Sequence, residues 1–206
     1  MIHLYTWKTP NGRKPAIALE ELGLAYEVHA VDIGNDEQFA PDFLKISPNN
    51  KIPAIVDDEA GVTLFESGAI LEYLADKTGR LLPRSGAERY TALQWLYWQV
   101  GGVGPMFGQL GFFVRSNDKV PVALARYSAE VLRLLDVLDA RLAASAYVGG
   151  AAFGIADIAT YPWLFSAVSQ FGDVLPGMLE GRSHVSRWMD ELASRPSVRK
   201  GMAILS

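Results

Sequence analysis

The stretch Asn49-Asn50-Lys51-Ile52-Pro53-Ala54-Ile55-Val56 says more about the fold than any other part of the sequence. Pro53 has no amide donor, so it belongs at the first position of a strand rather than inside one. If the Ile52–Pro53 bond is cis, it makes a tight bend that leaves the Ile52 N–H and C=O exposed. Such groups can pair with an extended peptide as with another strand. Taken alone, the stretch is more simply an ordinary proline before a strand.

Around this stretch, short apolar runs alternate with helical patterns, which is typical of an α/β fold. The predicted order is βαβ, a linking helix and then ββα. The predicted elements are strand Ile2–Thr6, helix Pro15–Leu22, strand Tyr26–Val31, helix Gln38–Lys45, strands Ala54–Val56 and Val62–Leu64, and helix Ser67–Lys77. Residues 1–80 are therefore predicted to form a small α/β domain.

Beyond a linker at residues 81–86, the sequence has helical hydrophobic spacing throughout. Residues 87–206 are predicted to form an all-helical domain. Its predicted helices are Glu88–Val100, Val122–Ala144, Ile155–Phe171 and His184–Ser194. Gly101-Gly102-Val103-Gly104-Pro105 is expected to interrupt the first of them, because Pro105 removes an amide donor. The fold class is thus α/β followed by all-α.

Composition excludes several classes of function. The net charge of −4 argues against nucleic-acid binding, and the absence of cysteine excludes disulfides, thiolate metal sites and catalysis by the protein's own sulfur. No signal peptide and no membrane segment is recognised, so a cytoplasmic protein without a membrane partner is expected. His3, His29 and His184 are scattered along the chain, and no metal role is expected for them.

Glu66-Ser67-Gly68 stands where a helix begins. Ser67 can cap that helix, whose free amides can receive a carboxylate, and Glu66 can accept a hydrogen bond from an ammonium group. Gln38 and Lys51 offer a donor and a cation for a second carboxylate. Each of these residues also has an ordinary interpretation, as a plain helix cap or a solvated side chain. Together they suit the two ends of γ-Glu-Cys-Gly.

Several separate motifs resemble the glutathione S-transferase family, and the Nu class in particular. Two lie in the α/β half, a third forms the first loop, and two more lie in the helical half. They are Asn50-Lys51-Ile52-Pro53-Ala54-Ile55, Phe65-Glu66-Ser67-Gly68-Ala69-Ile70, Thr9-Pro10-Asn11-Gly12-Arg13-Lys14, Leu93-Gln94-Trp95-Leu96-Tyr97-Trp98-Gln99 and Gly104-Pro105-Met106-Phe107-Gly108-Gln109. The resemblance implies a thioredoxin-like first domain, a helical bundle and a homodimer.

The resemblance also implies a glutathione site and no metal. In the family pattern, Glu66 and Ser67 hold the γ-glutamyl end, while Ile52, with Pro53 beside it, holds the cysteinyl backbone. The glycyl end falls to Gln38 and Lys51. Arg126, within Ala125-Arg126-Tyr127, matches an arginine that reaches glutathione in the Nu class.

Glutathione reacts as its thiolate, so a donor is needed near the sulfur at the start of the first helix. Asn11 is the candidate for principal thiolate stabiliser, with Thr9 assisting, because both side chains can donate to sulfur. A helix start near Arg13 would add a field that favours an anion. Thr9-Pro10-Asn11-Gly12 is also a strongly turn-forming string. Tyr5 lies inside the first strand and is expected to be packed, with only a minor claim on catalysis.

The Nu-class resemblance implies that two glutathione molecules reduce a disulfide, one attacking it and the second resolving the mixed disulfide. The same thiolate could instead conjugate to an electrophile or reduce a hydroperoxide. A non-enzymatic interaction module and a ligandin that stores hydrophobic compounds are the competing hypotheses. An acceptor pocket could be lined by Trp7, Phe107, Gln109, Phe112 and Phe113, although aromatic residues at this spacing are more often packed in a core.

One departure from the family pattern lies in Ala152-Phe153-Gly154-Ile155-Ala156-Asp157, where Gly154 replaces the usual Ser or Thr of a helix-capping box. Glycine is tolerated at an N-cap, and Asp157 can still bond back to the free amides. The departure should affect stability rather than chemistry. The helical tryptophans are predicted to be core residues: Trp95, Trp98, Trp163 and Trp188.

Overall fold

A computed structural model describes residues 1–205. The chain divides into two compact units. The N-terminal unit contains residues 1–84 and the C-terminal segment from Ser194 onward, and the helical unit contains residues 85–193. The assignment of residues 1–80 as a glutathione-binding domain and 87–206 as a helical domain stays a prediction.

The N-terminal unit is built on a mixed four-stranded sheet. Its strands are β1 (Ile2–Thr6), β2 (Tyr26–Ala30), β3 (Ala54–Asp57) and β4 (Val62–Phe65). The order across the sheet is β2-β1-β3-β4, with β1 parallel to β2 and antiparallel to β3, and β3 antiparallel to β4. Alternate residues of β1 are buried, so one face of the sheet carries the core. The predicted fold class, thioredoxin-like α/β followed by helices, is confirmed.

The first three helices of this unit are α1 (Pro10–Leu22), α2 (Pro41–Ile46), preceded by a 3-10 turn at Glu37–Phe39, and α3 (Ser67–Thr78). Helix α1 begins five residues earlier than predicted. Thr9 caps it, because the Thr9 hydroxyl oxygen accepts a hydrogen bond from the Gly12 amide at 3.1 Å. Pro15 therefore lies inside the helix instead of starting it.

The helical unit begins with α4 (Gly86–Trp98), a π-helical segment (Gln99–Val103) and α5 (Gly104–Arg115). The predicted interruption near Pro105 is confirmed. The backbone stays helical on both sides of the π-helical segment (φ −68° at Gln99 and −57° at Val103), so Pro105 removes an amide donor from a continuous helix. The remaining helices of this unit are α6 (Pro121–Ala144), α7 (Ile155–Gln170) and α8 (Ser183–Ser194).

A short helix after Pro196 was not predicted. Helix α9 (Pro196–Met202) packs against α1 within the N-terminal unit. A Cβ atom at Gly201 would lie only 2.5 Å from the Ile17 Cα atom, so this close approach requires glycine. Arg195 forms an ion pair with Glu21 at 2.8 Å. The contact joins residues far apart in sequence, so a local pattern gives little sign of it.

Asp157 anchors the start of α7 as expected. Its Oδ2 accepts from the Gly154 amide at 3.0 Å, and its Oδ1 accepts from the Val148 amide and from Trp188 Nε1, both at 2.8 Å. Trp188 is a core residue, as predicted. The other three helical tryptophans are partly buried rather than fully buried. Within residues 1–205 no helix is long and apolar enough to cross a membrane.

Candidate functional site

Four chain segments meet at one edge of the sheet. Tyr5 pairs with Ala54 and Ala54 with Phe65, while Thr6 pairs with Ala30. Strands β1, β2 and β4 therefore end at the edge where β3 begins. These strand ends, formed by Thr6, Ala30, Ala54 and Phe65, lie along one end of the sheet, which we call the site edge.

Almost all of the candidate residues lie on the segments that reach the site edge. Thr9–Asn11 follow β1, Gln38 follows β2, Lys51–Pro53 precede β3 and Glu66–Ser67 follow β4. Arg126 is on α6 in the helical unit, where its side chain is exposed. The sheet topology thus collects candidates that are up to 58 residues apart in the chain (9 to 67).

The width of the site edge suits a short extended peptide. Neighbouring strands lie about 4.8 Å apart, so the three steps from β4 to β2 cover about 14 Å. A fully extended tripeptide is about 10–11 Å long, and a γ-glutamyl linkage lengthens it further. A peptide of that size can reach from the end of β4 to the segment that follows β2.

The start of α1 is held tightly against the end of β1. A Cβ atom at Gly12 would lie 2.0 Å from the Trp7 carbonyl oxygen, so no other residue fits there. The Thr6 hydroxyl donates to the Gly12 carbonyl at 2.9 Å. Asn11, the second residue of the helix, is half-buried. The Thr9 oxygen accepts the cap bond, which leaves its hydroxyl hydrogen able to donate.

The junction between β4 and α3 is strained at Glu66. Its φ of 72° and ψ of 113° lie in a region that non-glycine residues rarely adopt. Glu66, not Ser67, is the N-cap residue of α3, and no side-chain cap bond forms, so the prediction that Ser67 caps this helix was wrong. Ser67 is instead the first residue of the helix, buried, and its hydroxyl accepts from Lys14 Nζ at 3.3 Å.

Lys14 is a site residue that the sequence analysis missed. Its side chain is 1% exposed although it carries an amine. Burial lowers the pKa of Lys14 to about 7, and the nearby Glu66 carboxylate opposes that shift. The burial of Lys14 could have been predicted from the helical pattern, because Ile17 and Ala18, three and four residues further along the chain, are fully buried on the same face.

The segment before β3 is fixed from both sides. The Ile52–Pro53 bond is cis, and Pro53 is buried. Ile52 packs against a small apolar cluster of Val31, Phe43 and Ala54. The Ser47 hydroxyl donates to the Lys51 carbonyl at 2.8 Å, while the Lys51 side chain is exposed. Ile52 is therefore held in a fixed position two residues before the start of β3.

Gln38 lies in the 3-10 turn after β2. Its Nε2 donates to Asp36 Oδ1 at 3.3 Å, and its Oε1 is buried with no hydrogen-bond partner in residues 1–205. A buried carbonyl oxygen without a donor is costly unless a ligand or water supplies one.

Two aromatic expectations have clear outcomes. Tyr5 is packed, as predicted, with its ring stacked on His29 at a centroid distance of 4.6 Å. Phe107 is a core residue of the helical unit and does not line an open pocket, since it is fully buried against Phe171. Phe112 is 60% exposed and contacts Phe113 edge to face.

Two of the three histidines, His3 and His29, lie close together in the structure. His3 Nδ1 and His29 Nε2 lie 3.0 Å apart, because β1 and β2 are neighbours in the sheet. The sequence separation of 26 residues hid this pairing. His184 lies on α8 in the helical unit, whereas His3 and His29 belong to the N-terminal unit.

Comparison with known protein families identifies the chain. Residues 1–76 match the glutathione S-transferase N-terminal domain, and residues 121–191 match the glutathione S-transferase C-terminal domain. The chain therefore belongs to the glutathione S-transferase family.

Its relatives include proteins with glutathione bound. The disulfide-bond oxidoreductase YfcG of Escherichia coli is 46% identical over 211 residues, covering all of this chain and 95% of that protein. A glutathione transferase family member from Pseudomonas fluorescens, solved with two glutathiones, is 44% identical with a TM-score of 0.93, over 98% and 92% of the two chains. A glutathione transferase from Pseudomonas putida, solved with one glutathione disulfide per subunit, is 44% identical with a TM-score of 0.92, over 100% and 92%.

Proposed function

We propose that this protein is a glutathione-dependent disulfide reductase of the Nu type. The observation that carries the proposal is the convergence of Thr9–Asn11, Gln38, Lys51–Pro53 and Glu66–Ser67 at the site edge. Similarity to YfcG, and to family members with two glutathiones or glutathione disulfide bound, supports the disulfide chemistry.

Glutathione binds in an extended form along the site edge. The Glu66 carboxylate accepts from the γ-glutamyl ammonium, and the first amides of α3 with Ser67 receive the γ-glutamyl carboxylate. The Ile52 backbone pairs with the cysteinyl residue, beside Pro53. Gln38 and Lys51 hold the glycyl carboxylate at the other end. Arg126, on α6, is the further residue that the family resemblance adds to this set.

The start of α1 stabilises the glutathione thiolate. Helix α1 is 13 residues long, and the positive N-terminal end of its dipole favours an anion close to Thr9 and Asn11. The Asn11 side-chain amide donates to the sulfur, and the Thr9 hydroxyl assists. The protein has no cysteine, so glutathione supplies the reducing sulfur.

The reaction runs in two exchanges. The thiolate of the first glutathione attacks one sulfur of the substrate disulfide, forming a mixed disulfide and releasing the other sulfur as a thiolate, which takes a proton from solvent. A second glutathione thiolate then attacks the glutathione sulfur of the mixed disulfide. Glutathione disulfide and the second substrate thiol leave, so two electrons pass from two glutathiones to one disulfide.

The test is a direct comparison of two reactions of the purified protein. Reduction of 2-hydroxyethyl disulfide by glutathione is followed through glutathione reductase and NADPH, and conjugation to 1-chloro-2,4-dinitrobenzene is followed by absorbance. We expect fast disulfide turnover and slow conjugation. Conjugation faster than disulfide reduction would make the protein a conventional transferase.

Calorimetry with glutathione separates the remaining alternatives. Binding without turnover in either reaction would favour a ligandin. The absence of both binding and turnover would favour a non-enzymatic interaction module built on the same fold.

The proposal includes a homodimer in the cytoplasm. The family resemblance supports the dimer, and the need for reduced glutathione supports the compartment. Light scattering coupled to size-exclusion chromatography should give twice the chain mass of 22.5 kDa. A mass of one chain would contradict the dimer and leave the reaction to be tested separately.

A further inference from the structure

A cluster of three metal-ligating side chains lies on the β1–β2 pair. The parallel register sets His3 beside Glu27 and Tyr5 beside His29. Residues two apart on a strand point to the same face, so His3, Glu27 and His29 project together. Their side chains are 24%, 60% and 33% exposed, so an ion can reach them from solvent.

The distances between the ligand atoms fit one small cation. His3 Nδ1 lies 3.0 Å from His29 Nε2 and 3.4 Å from Glu27 Oε2, and His29 Nε2 lies 3.9 Å from Glu27 Oε1. In a tetrahedral zinc site with bonds of 2.0–2.1 Å, ligand atoms are about 3.3 Å apart. The three observed distances bracket that value, so small side-chain adjustments suffice.

A neighbouring carboxylate prepares His3 for binding. His3 Nε2 lies 2.9 Å from Asp58 Oδ2. Donation of the Nε2 hydrogen to Asp58 leaves Nδ1 with its lone pair directed to the cluster. An Asp–His–metal arrangement of this kind is usual around bound zinc, where the carboxylate fixes the tautomer and ring orientation.

The charge of the cluster also suits a divalent cation. Glu27 and Asp58 place two carboxylates beside the two imidazole rings. Nitrogen and carboxylate ligands favour borderline ions such as Zn²⁺ and Co²⁺ over Ca²⁺ or Mg²⁺, which prefer oxygen. The chain has no cysteine to compete for such an ion.

We propose that His3, His29 and Glu27 form a binding site for Zn²⁺ or a similar divalent transition-metal ion, with Asp58 orienting His3. His3 and Glu27 lie toward the start of their strands, whereas Thr9 and Asn11 follow the end of β1; His29 is the residue before Ala30 of the site edge. The ion joins the edge strand β2 to β1 and leaves a coordination position to water. It is not a cofactor of the proposed reaction.

The test uses full-length protein without a polyhistidine tag, treated with a chelator and free of glutathione. Zinc sulfate is titrated by calorimetry, and Co²⁺ is added in parallel to record the visible absorption of its complex. We expect one Zn²⁺ per chain with micromolar affinity. We also expect a rise of several degrees in Tm when zinc is in excess, since binding only the folded state stabilises it.

Four variants decide whether the named residues hold the ion. His29→Asn and Glu27→Gln should weaken zinc binding at least 100-fold and abolish the rise in Tm. Asp58→Asn should weaken it by about 10- to 100-fold. His184→Asn, which removes a histidine from the helical unit, should bind zinc as the parent does.

Circular dichroism of the zinc-free variants checks that they are folded. Lack of saturable zinc binding by the parent would overturn the proposal. Equal zinc affinity in the parent and in folded His29→Asn would also overturn it. A loss of zinc affinity in His184→Asn as large as that in His29→Asn would do the same.

Discussion

Lys14 in the N-terminal unit and Asp157 in the helical unit are both buried charged side chains, with 1% and 0% exposure, but their surroundings differ. Asp157 accepts hydrogen bonds at 2.8–3.0 Å from Val148, Gly154 and Trp188. Lys14 donates to Ser67 at a longer 3.3 Å. One charge is bound into the helical core, whereas the other lies beside the proposed binding residues.

The pKa values reflect this difference. Burial raises the pKa of Asp157 to about 6, while its hydrogen bonds oppose the shift. Burial lowers the pKa of Lys14 to about 7, from 10.5, a larger change that Glu66 only partly opposes. Burial of either charge therefore lowers the free energy of unfolding at neutral pH. The comparison teaches that hydrogen bonds at Asp157 limit this cost in the helical unit, whereas Lys14, beside the proposed binding residues, keeps the larger pKa shift.

The largest effect should come from removing the Asp157 carboxylate. Asp157→Ala leaves two backbone amides and the Trp188 indole without their acceptor, at about 1–3 kcal/mol for each buried group. We expect the free energy of unfolding in urea to fall by about 4 kcal/mol. The exposed Asp173→Ala should change it by no more than about 0.5 kcal/mol. Equal, small losses in both variants would mean that the buried network contributes little.

Removing the proposed thiolate donor should affect chemistry rather than folding. Asn11→Ala is expected to lower kcat for disulfide reduction about 100-fold, by analogy with loss of one donor to a developing anion. The Kd for glutathione should change far less, because the contact proposed for Asn11 is with the sulfur alone. Asn117→Ala, at an exposed asparagine of the helical unit, is the matched control. Unchanged turnover in Asn11→Ala would remove this residue from the mechanism.

Lys14 should give stability a distinct pH dependence. Its folded pKa of about 7 is below the unfolded value of 10.5, so the unfolded chain binds more protons between these values. The free energy of unfolding should therefore rise with pH across that window. Between pH 6 and pH 9 the gain is roughly 2–3 kcal/mol.

Lys14→Met should lack this gain when unfolding is measured at pH 6 and pH 9. Its stability advantage over the parent should be larger at pH 6, where the cost of burying the ammonium is nearly complete. Lys45→Met, at an exposed lysine, should retain the parental pH dependence. Parallel curves for Lys14→Met and the parent would show that Lys14 titrates normally.

Asp157 should act in the opposite direction and in a lower window. Its folded pKa of about 6 is above the usual 3.8, so the folded chain binds more protons between these values. This contribution lowers the free energy of unfolding as pH rises from about 4 to about 6.

The smallest effect is expected at the γ-glutamyl end of the site. Ser67→Ala removes a hydrogen-bonding partner of a charged group and should weaken glutathione binding about tenfold, measured by calorimetry. Ser169→Ala, at an exposed serine on α7, should bind glutathione as the parent does. Equal affinity in both variants would remove Ser67 from the proposed site.

Most elements were predictable because they follow local rules. The β1–β4 strands, α3, α4 and the helices from α6 to α8 were expected within one or two residues of their observed ends, and the place of the interruption after α4 was also expected. Helix α5 was not predicted, and the predicted helix Gln38–Lys45 is divided into a 3-10 turn (Glu37–Phe39) and α2 (Pro41–Ile46). The exceptions have local and non-local causes. The start of α1 was misplaced because Pro15 suits a first turn as well as an interior position. Helix α9 was missed because it depends on packing against α1.

The sequence by itself determined the two-part fold class, the absence of sulfur chemistry in the protein and the family motifs, because hydrophobic period, composition and short strings are local properties. Only the tertiary structure decided which side chains meet. The sheet register assembled the site edge, buried Lys14 against Ser67 and brought His3 beside His29. Pairing of strands joins residues that are distant in the chain, so no local pattern encodes those contacts.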